Sequence, residues 1–403
     1  MSMLPIEIIK EISIVTSSKI VMLVIDGLGG LPEASSGMTE LEIARKPYIN
    51  ELAGKCVCGL IDPVAPGITP GSGPGHLALF GYDPLKFTIG RGVLEALGIG
   101  FDLTNNDVAA RGNFCTVDES GLITDRRAGR ITTEKCTELC KLLSKIKLEG
   151  VEIFVWPVKE HRFMMVLRSK ALSPNIEDTD PQRLGVAPRQ ATATSAKAEP
   201  TAKLVNSFTK EARKILSGHH PANMILLRGF SKLPKIPSMN EIYKVTPAAI
   251  AVYPMYKGLA KLLGMKVYSV DGGIREELKV LGDCFAEHDF FYVHVKHADS
   301  AGEDGDFSRK VKVIEEVDAA MPLLLNLKPD VIIITGDHST PAILKMHSWH
   351  PVPLLLYSQW CRLDGAKEFS ESACVTGGLG RLHSTDVMTL AMANALKLTK
   401  FGA

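Results

Sequence analysis

Asp26, Asp299, Glu303, Asp337, His338 and His347 are side chains of the types that bind a divalent cation, and Ser72 offers a hydroxyl that such a cation could activate. Carboxylate with imidazole suits a hard to borderline ion such as manganese, magnesium or zinc. Asp299 and Glu303 are spaced so that one helical turn would set both on one face, with Asp304 next to Glu303. Ser72 lies in Thr69-Pro70-Gly71-Ser72-Gly73-Pro74-Gly75-His76, ahead of an apolar run, Leu77 to Phe80, that could begin a helix. A serine at a helix N-terminus faces unpaired backbone N–H groups and the positive end of the helix dipole, which favour a phosphate beside its hydroxyl. A coordinated cation would lower the hydroxyl pKa and make it a nucleophile.

Each feature alone has a plainer explanation. An aspartate after a strand is often a turn former or helix cap, and Asp271, after the run Lys266–Val270, is read in that way. Ser72 alone is as much a cap as a nucleophile. Pro70 and Pro74 set its loop apart from the Gly-x-x-x-x-Gly-Lys phosphate loop and from the Gly-x-Ser-x-Gly elbow. The convergence of several strand-end ligands, not any one of them, points to metal-assisted phosphate chemistry.

These residues need strands to carry them. Short apolar runs at Ile20–Ile25, Met224–Leu227, Lys266–Val270, Phe290–Val295, Val331–Thr335 and Val352–Tyr357 read as buried strands. Asp26, Asp299 and Asp337 each follow the end of one, where open α/β sheets bind ligands. Phe307–Leu325 sets Phe307, Val311, Ile314, Val317, Met321 and Leu324 on one helical face. Alternating strands and helices indicate an α/β fold with a mostly parallel central sheet flanked by helices. The middle of the chain differs, with charged strand-like pieces at Val151–Trp156 and Arg162–Leu167 and a polar tract, Arg189–Pro200, read as a surface loop. Residues 106–221 are therefore expected to form a smaller inserted α+β substrate domain, and 1–105 with 222–403 the core.

Composition narrows the class. At 403 residues the chain exceeds one compact core. With 45% hydrophobic and 23% charged residues it is globular, not disordered. A net charge of +1 argues against a broad nucleic-acid or anionic-membrane surface. Its eight cysteines lack zinc-finger spacing and read as reduced, buried thiols. The first residues make a poor signal peptide and no apolar run reaches membrane-span length, so a cytoplasmic protein is expected.

Val24-Ile25-Asp26-Gly27, the Ser72 loop with Gly81-Tyr82-Asp83-Pro84, Asp299-Ser300-Ala301-Gly302, Gly336-Asp337-His338-Ser339 and His347 with Pro351-Val352-Pro353 occur in one order. In this the chain resembles the archaeal-type cofactor-independent phosphoglycerate mutases of the alkaline phosphatase superfamily. Gly90-Arg91-Gly92, Asp107–Cys115 and Arg126-Arg127-Ala128-Gly129-Arg130 carry the likeness through the middle of the chain. The resemblance implies that Ser72 is phosphorylated in turnover and touches metal, that Asp26, Asp337 and His338 hold one ion, and that Asp299 and His347 hold a second. Its third ligand is commonly histidine, where this chain has Glu303. The serine loop also departs, with Ser72-Gly73-Pro74-Gly75 where many members carry Ser-Asp-Thr-Ala. Substrate contacts are implied for Arg111, Arg126, Arg127, Arg130 and Arg228, with His161 and Lys257. A guanidinium fork matches carboxylate and phosphate.

The activity implied is interconversion of 3-phosphoglycerate and 2-phosphoglycerate in glycolysis and gluconeogenesis, through a phosphoserine. It would use two divalent ions (manganese first; magnesium, cobalt or zinc otherwise) and no 2,3-bisphosphoglycerate. The partner implied is a small phosphorylated hydroxy acid, with no nucleic acid and no membrane; a homo-oligomer stays open. Two alternatives remain at this point: another phosphotransferase or phosphatase of the superfamily, including homoserine-kinase-like relatives, and a degenerate non-catalytic member.

Overall fold

The computed structural model describes residues 4–402. Its strands, in chain order, are β1 (Ile20–Ile25), β2 (Val57–Asp62), β3 (Asp107–Val117), β4 (Ile123–Asp125), β5 (Glu152–Lys159), β6 (Arg162–Arg168), β7 (Met224–Ser231), β8 (Pro247–Ala251), β9 (Lys266–Tyr268), β10 (Phe290–Val295), β11 (Val331–Thr335), β12 (Val352–Ser358) and β13 (Gly380–His383). The chain divides into two compact units, one being Ile89–Lys235 and the other the remainder. Among the described residues no helix is long and apolar enough to cross a membrane.

The larger unit is built on an eight-stranded sheet in the order β13-β2-β12-β11-β1-β10-β8-β9. All neighbours are parallel except those of β12, which runs against both β2 and β11. The sheet is therefore mostly parallel, as expected. Every residue of β1, β10 and β11 is buried, as continuous Val/Ile/Leu/Phe runs require when helices cover both faces. The register sets Ile25 beside Val295 and Val24 beside Thr335, so the chain leaves β1, β10 and β11 at the same end of the sheet.

The helix Phe307–Leu325 has the bounds expected; Asp306 caps it, its side chain accepting from the Arg309 N–H at 3.0 Å. Its buried face includes Ile314, Val317, Met321 and Leu324 and also Lys310. The Lys310 ammonium donates to the carbonyls of Gly29 (3.0 Å) and Thr340 (2.9 Å), tying the turn after β1 to the turn after β11. In the first of these turns Gly27 adopts φ +68. A Cβ there would meet Thr340 Oγ1 at 2.7 Å and the Asp299 Cα at 2.9 Å, so only glycine fits.

The inserted unit has a five-stranded sheet in which β3 pairs antiparallel with β4, β6 and β7, and β5 pairs with β6. Alternation along β3 and β6 separates its two faces. Val108, Ala110, Met165 and Leu167 pack with residues of the helices Thr133–Leu143 and Glu199–Leu216, whereas Ala109, Met164 and Val166 pack with Val93 and Ala96 of the helix Arg91–Gly98.

Several boundaries differ from expectation. The inserted unit begins at 89 and ends at 235, wider than 106–221, because Arg91–Gly98 packs on β3 and because β7 pairs with β3. Met224–Leu227 is therefore a strand of the inserted unit, continuing to Ser231. The run Lys266–Val270 stops at Tyr268, and Val352–Tyr357 extends to Ser358. Within Arg189–Pro200, a 3-10 turn at Ala196–Ala198 and the start of the helix Glu199–Leu216 replace the end of the loop.

Candidate metal centre and anion-binding residues

Asp26 follows β1, Asp337 and His338 follow β11, Asp299 lies in the helix His297–Asp304 after β10, and His347 sits in the segment before β12. Ser72 is the first residue of the helix Ser72–Leu79. Two groups of ligand atoms result: Asp26, Asp337 and His338, and Asp299, His338 and His347, the atoms of each lying within 4.8 Å of one another. His338 belongs to both. Ser72 Oγ is 3.1 Å from His338 Nε2. The structure thus brings together Asp26, Asp299, Asp337, His338 and His347 as named from the sequence, while Glu303 falls outside both groups and the Asp271 turn stays exposed.

Each candidate ligand is oriented by a neighbour. His347 Nδ1 donates to the Pro70 carbonyl at 2.9 Å, which turns Nε2 toward Asp299 Oδ1 at 3.4 Å. His338 Nδ1 meets Thr340 Oγ1 at 3.0 Å, and that hydroxyl donates to Asp299 Oδ1 at 2.7 Å. The two imidazoles stack with centroids 3.7 Å apart. Gly27 N–H donates to Asp337 Oδ1 at 3.2 Å, while His76 Nδ1, which lies 3.2 Å from Asp337 Oδ2, donates to the Ser72 carbonyl at 2.8 Å. Asp26 Oδ2 accepts from the Tyr256 hydroxyl and lies 3.1 Å from both His294 Nε2 and Lys296 Nζ. Lys296 also bonds Asp299 Oδ2.

The charge balance favours a cation. Burial works against ionisation of Asp26, but Lys296 and hydrogen bonds from His294 and His338 outweigh it and hold the carboxyl well below the usual range. Burial likewise opposes ionisation of Asp299, and the His347 hydrogen bond leads the groups that keep it low. Burial disfavours the charged form of His347, yet Asp299 and the Pro70 carbonyl raise it to about 9 in the chain alone. Asp26 Oδ1 and Asp337 Oδ2 are buried and accept no well-aligned hydrogen bond among the described residues, although His338 Nε2 lies 3.3 Å from the first and 3.2 Å from the second. A buried anionic oxygen left so is costly unless a cation meets it. The donor set fits a divalent ion at each group.

Glu303 stands at the rim, 56% exposed, its Oε1 3.8 Å from His347 Nε2. Asp304 is tied to Arg309 at 2.6 Å, so of the two acids Glu303 is the one beside the histidine. The sequence did not single out Tyr256, His294, Lys296, His76 or Thr340. Two of them, His294 and Lys296, gave a signal: polar residues in and just after an otherwise apolar strand.

The inserted unit gathers a second set. Arg111 on β3 stands opposite Arg228 on β7. Arg111 Nε lies 3.2 Å from Glu95 Oε1. Burial pushes Glu95 up, and the charges of Arg111, Arg162, Arg91 and Arg228 pull it back. Burial, relieved by Glu95 and reinforced by the other arginines, lowers Arg111 to about 10. Burial and the fields of Arg162, Arg111, Arg127 and Arg130 lower His161 to about 4. Four guanidinium groups around one carboxylate leave an excess of positive charge suited to an anion. Arg91, Arg162 and Glu95 are the members the sequence reasoning did not list. Arg127 and Arg130 are exposed, and Arg126 is committed to buried Asp180 through two hydrogen bonds, at 3.2 and 2.7 Å. Lys257 belongs to the larger unit, on the helix Pro254–Leu262, and is not part of this set.

A metal-ligand set at the carboxyl ends of parallel strands, with a serine at a helix start, is the architecture of a metal-dependent enzyme. The sequence profile of the 2,3-bisphosphoglycerate-independent phosphoglycerate mutases matches residues 53–223. A relative from Thermus thermophilus described as a "Probable 2,3-bisphosphoglycerate-independent phosphoglycerate mutase" is 49% identical over 404 residues, spanning 98% of this chain and 99% of its own. One of the same description from Thermotoga maritima is 49% identical over 399 residues, with 98% and 99% covered. Among solved structures, the cofactor-independent phosphoglycerate mutase of Thermoplasma acidophilum has a TM-score of 0.72 at 34% identity, covering 94% of this chain and 100% of that one. A Pyrococcus horikoshii protein reaches 0.84 at 30% identity, covering 96% and 100%. The chain belongs to the 2,3-bisphosphoglycerate-independent phosphoglycerate mutase family.

Proposed function

We propose that this protein interconverts 3-phosphoglycerate and 2-phosphoglycerate, with Ser72 carrying the phosphoryl group between them. The observation that carries this reading is the position of Ser72 Oγ, at a helix start and 3.1 Å from the imidazole shared by both ligand groups. Asp26, Asp337 and His338 would hold one divalent ion, and Asp299, His347 and Glu303 a second. Bound ions would supply charge neutralisation and polarisation of serine and phosphoryl oxygens.

The chain's own groups supply the rest. Ser72 Oγ forms the bond to phosphorus as the bond from phosphorus to the glycerate oxygen breaks, and the serine proton ends on the departing oxygen. The free N–H groups at the start of the helix Ser72–Leu79 face the phosphoryl group. Lys296, between Asp26 and Asp299, adds positive charge beside it. The arginines around Glu95 bind the carboxylate and phosphate of the substrate. The other hydroxyl of glycerate then attacks phosphoserine and returns the proton to Ser72, which completes the isomerisation without loss of phosphate.

The test is an enolase-coupled assay without 2,3-bisphosphoglycerate, with manganese, magnesium, cobalt and zinc supplied in turn. Activity should appear with at least one ion and fall about a thousandfold or more in Ser72→Ala, as removal of a nucleophile does. Acid-quenched turnover should leave phosphate on Ser72. Activity with none of the ions, or full activity in Ser72→Ala, refutes the proposal. Release of inorganic phosphate without isomerisation would make the protein a phosphatase.

A further inference from the structure

We propose that the inserted unit carries a second anion site, a pocket between the middle of the β3–β4 turn, the 187–190 segment and the helix Glu199–Leu216, which takes a small metabolite bearing two phosphate groups. The pocket is an open depression of about 470 Å3, room enough for a phosphorylated sugar to lie against its wall. Arg189, Lys210 and Arg213 line it, and no aspartate or glutamate does. None of the three makes an ion pair among the described residues, whereas the next acid on the helix, Glu211, is taken by Lys214 at 2.7 Å. Three unpaired cations on one concave wall repel one another, and an anion of two or more charges relieves that repulsion.

The wall is built, not incidental. Asn206 holds the 189–191 segment to the helix, accepting from Ala191 N–H and donating to its carbonyl, both at 2.9 Å. The Arg189 N–H donates to the Thr179 carbonyl at 2.9 Å. Thr209, one turn before Arg213 on the same helix, lines the pocket with a buried hydroxyl that has no partner among the described residues. A buried hydroxyl without a partner is an uncompensated cost that a phosphate oxygen would remove. None of the lining residues belongs to the Arg91, Arg111, Arg162 and Arg228 set, so this pocket lies outside the substrate reading given above.

Titration calorimetry on the full chain with its metal, using fructose 1,6-bisphosphate as the probe, tests the site. Saturable binding is expected, with none for unphosphorylated fructose. The affinity should fall about tenfold or more in Arg189→Ala and in Arg213→Ala, as when a charge-assisted contact is lost. Arg213→Lys should retain most of it, and Arg111→Ala should leave it unchanged. Thermal unfolding of each variant confirms the fold, and Arg189→Ala, in a surface segment, should keep the wild-type mutase rate in the absence of the probe. Absence of binding, binding unchanged in both alanine variants, or binding that disappears in Arg111→Ala overturns the proposal.

Discussion

Gly27→Ala is the substitution whose cost the structure defines most closely. Two effects add. Gly27 has φ +68, where an L-residue with a Cβ costs about 1–2 kcal/mol. The new Cβ would also lie 2.9 Å from the Asp299 Cα and 2.7 Å from Thr340 Oγ1, against the 3.4 Å at which ordinary contact begins. Overlap with a packed backbone adds about 1–3 kcal/mol, for a total of about 2–5 kcal/mol. The neighbours that must give way are a proposed ligand, Asp299, and the hydroxyl that holds it at 2.7 Å. Gly37→Ala is the matched control, because Gly37 has φ +70 and nothing within 4 Å of the added Cβ. Urea unfolding should show the smaller loss for Gly37→Ala and the larger one for Gly27→Ala. A manganese titration should be weakened only in Gly27→Ala. Equal stability of the two variants with unchanged manganese affinity would refute the claim that the turn after β1 is pressed against the metal centre.

Chelation should lower the thermal midpoint, since buried carboxylates at Asp26, Asp299 and Asp337 lose their cations; manganese at a hundred times its Kd is worth about 2.7 kcal/mol. An unchanged midpoint in the presence of a strong chelator would count against metal at these residues. Glu303→Ala should leave about one ion of a pair bound by elemental analysis, as for a direct ligand in a two-metal site. Two ions in that variant would move the role to Asp304. Burial raises Glu277 from 4.5 to about 8, so the folded state keeps a proton that the unfolded chain has already released. Stability should therefore fall as pH rises from about 5 through about 8, by a few kcal/mol, and Glu277→Gln should flatten the slope. Parallel pH profiles for the two proteins in chemical denaturation would show the reasoning to be wrong.

The central strands and their terminal carboxylates were legible because a strand covered on both faces must be apolar along its whole length. That made β1, β10 and β11 visible, and the first charged residues beyond them conspicuous. The helix Phe307–Leu325 was legible through its period and its Asp306 cap. β2 and β13 escaped notice because neither is a continuous apolar run: Gly59 interrupts one, and Arg381 and His383 the other. β7 read correctly as a strand but was given to the core, since an apolar run carries no record of which sheet it joins. Glu95 was missed for a similar reason. A glutamate on an amphipathic helix reads as solvent-facing, and only the arrival of Arg111, Arg162 and Arg228 from three separate strands makes it a buried counter-ion. Tyr256 and Thr340 have no sequence signal at all; their roles exist only through proximity.

Strand β1 also sets a constraint on how the protein is made. Among the described residues its six residues, Ile-Val-Met-Leu-Val-Ile, pair with β10 and β11 alone, and the first residue of β10 follows the last of β1 by about 265 positions. At about 5–20 residues per second a ribosome needs roughly 15–50 s to supply that partner. Throughout that interval a short, uncharged, proline-free hexapeptide of high β-propensity has no place in a sheet, which is the composition of an aggregation-prone segment. The inserted unit, whose β3, β4, β5, β6 and β7 all emerge before β10, can close its own sheet meanwhile. Production of this enzyme is thus expected to be limited by protection of residues 20–25 during synthesis, and soluble yield should respond to translation rate and chaperone supply.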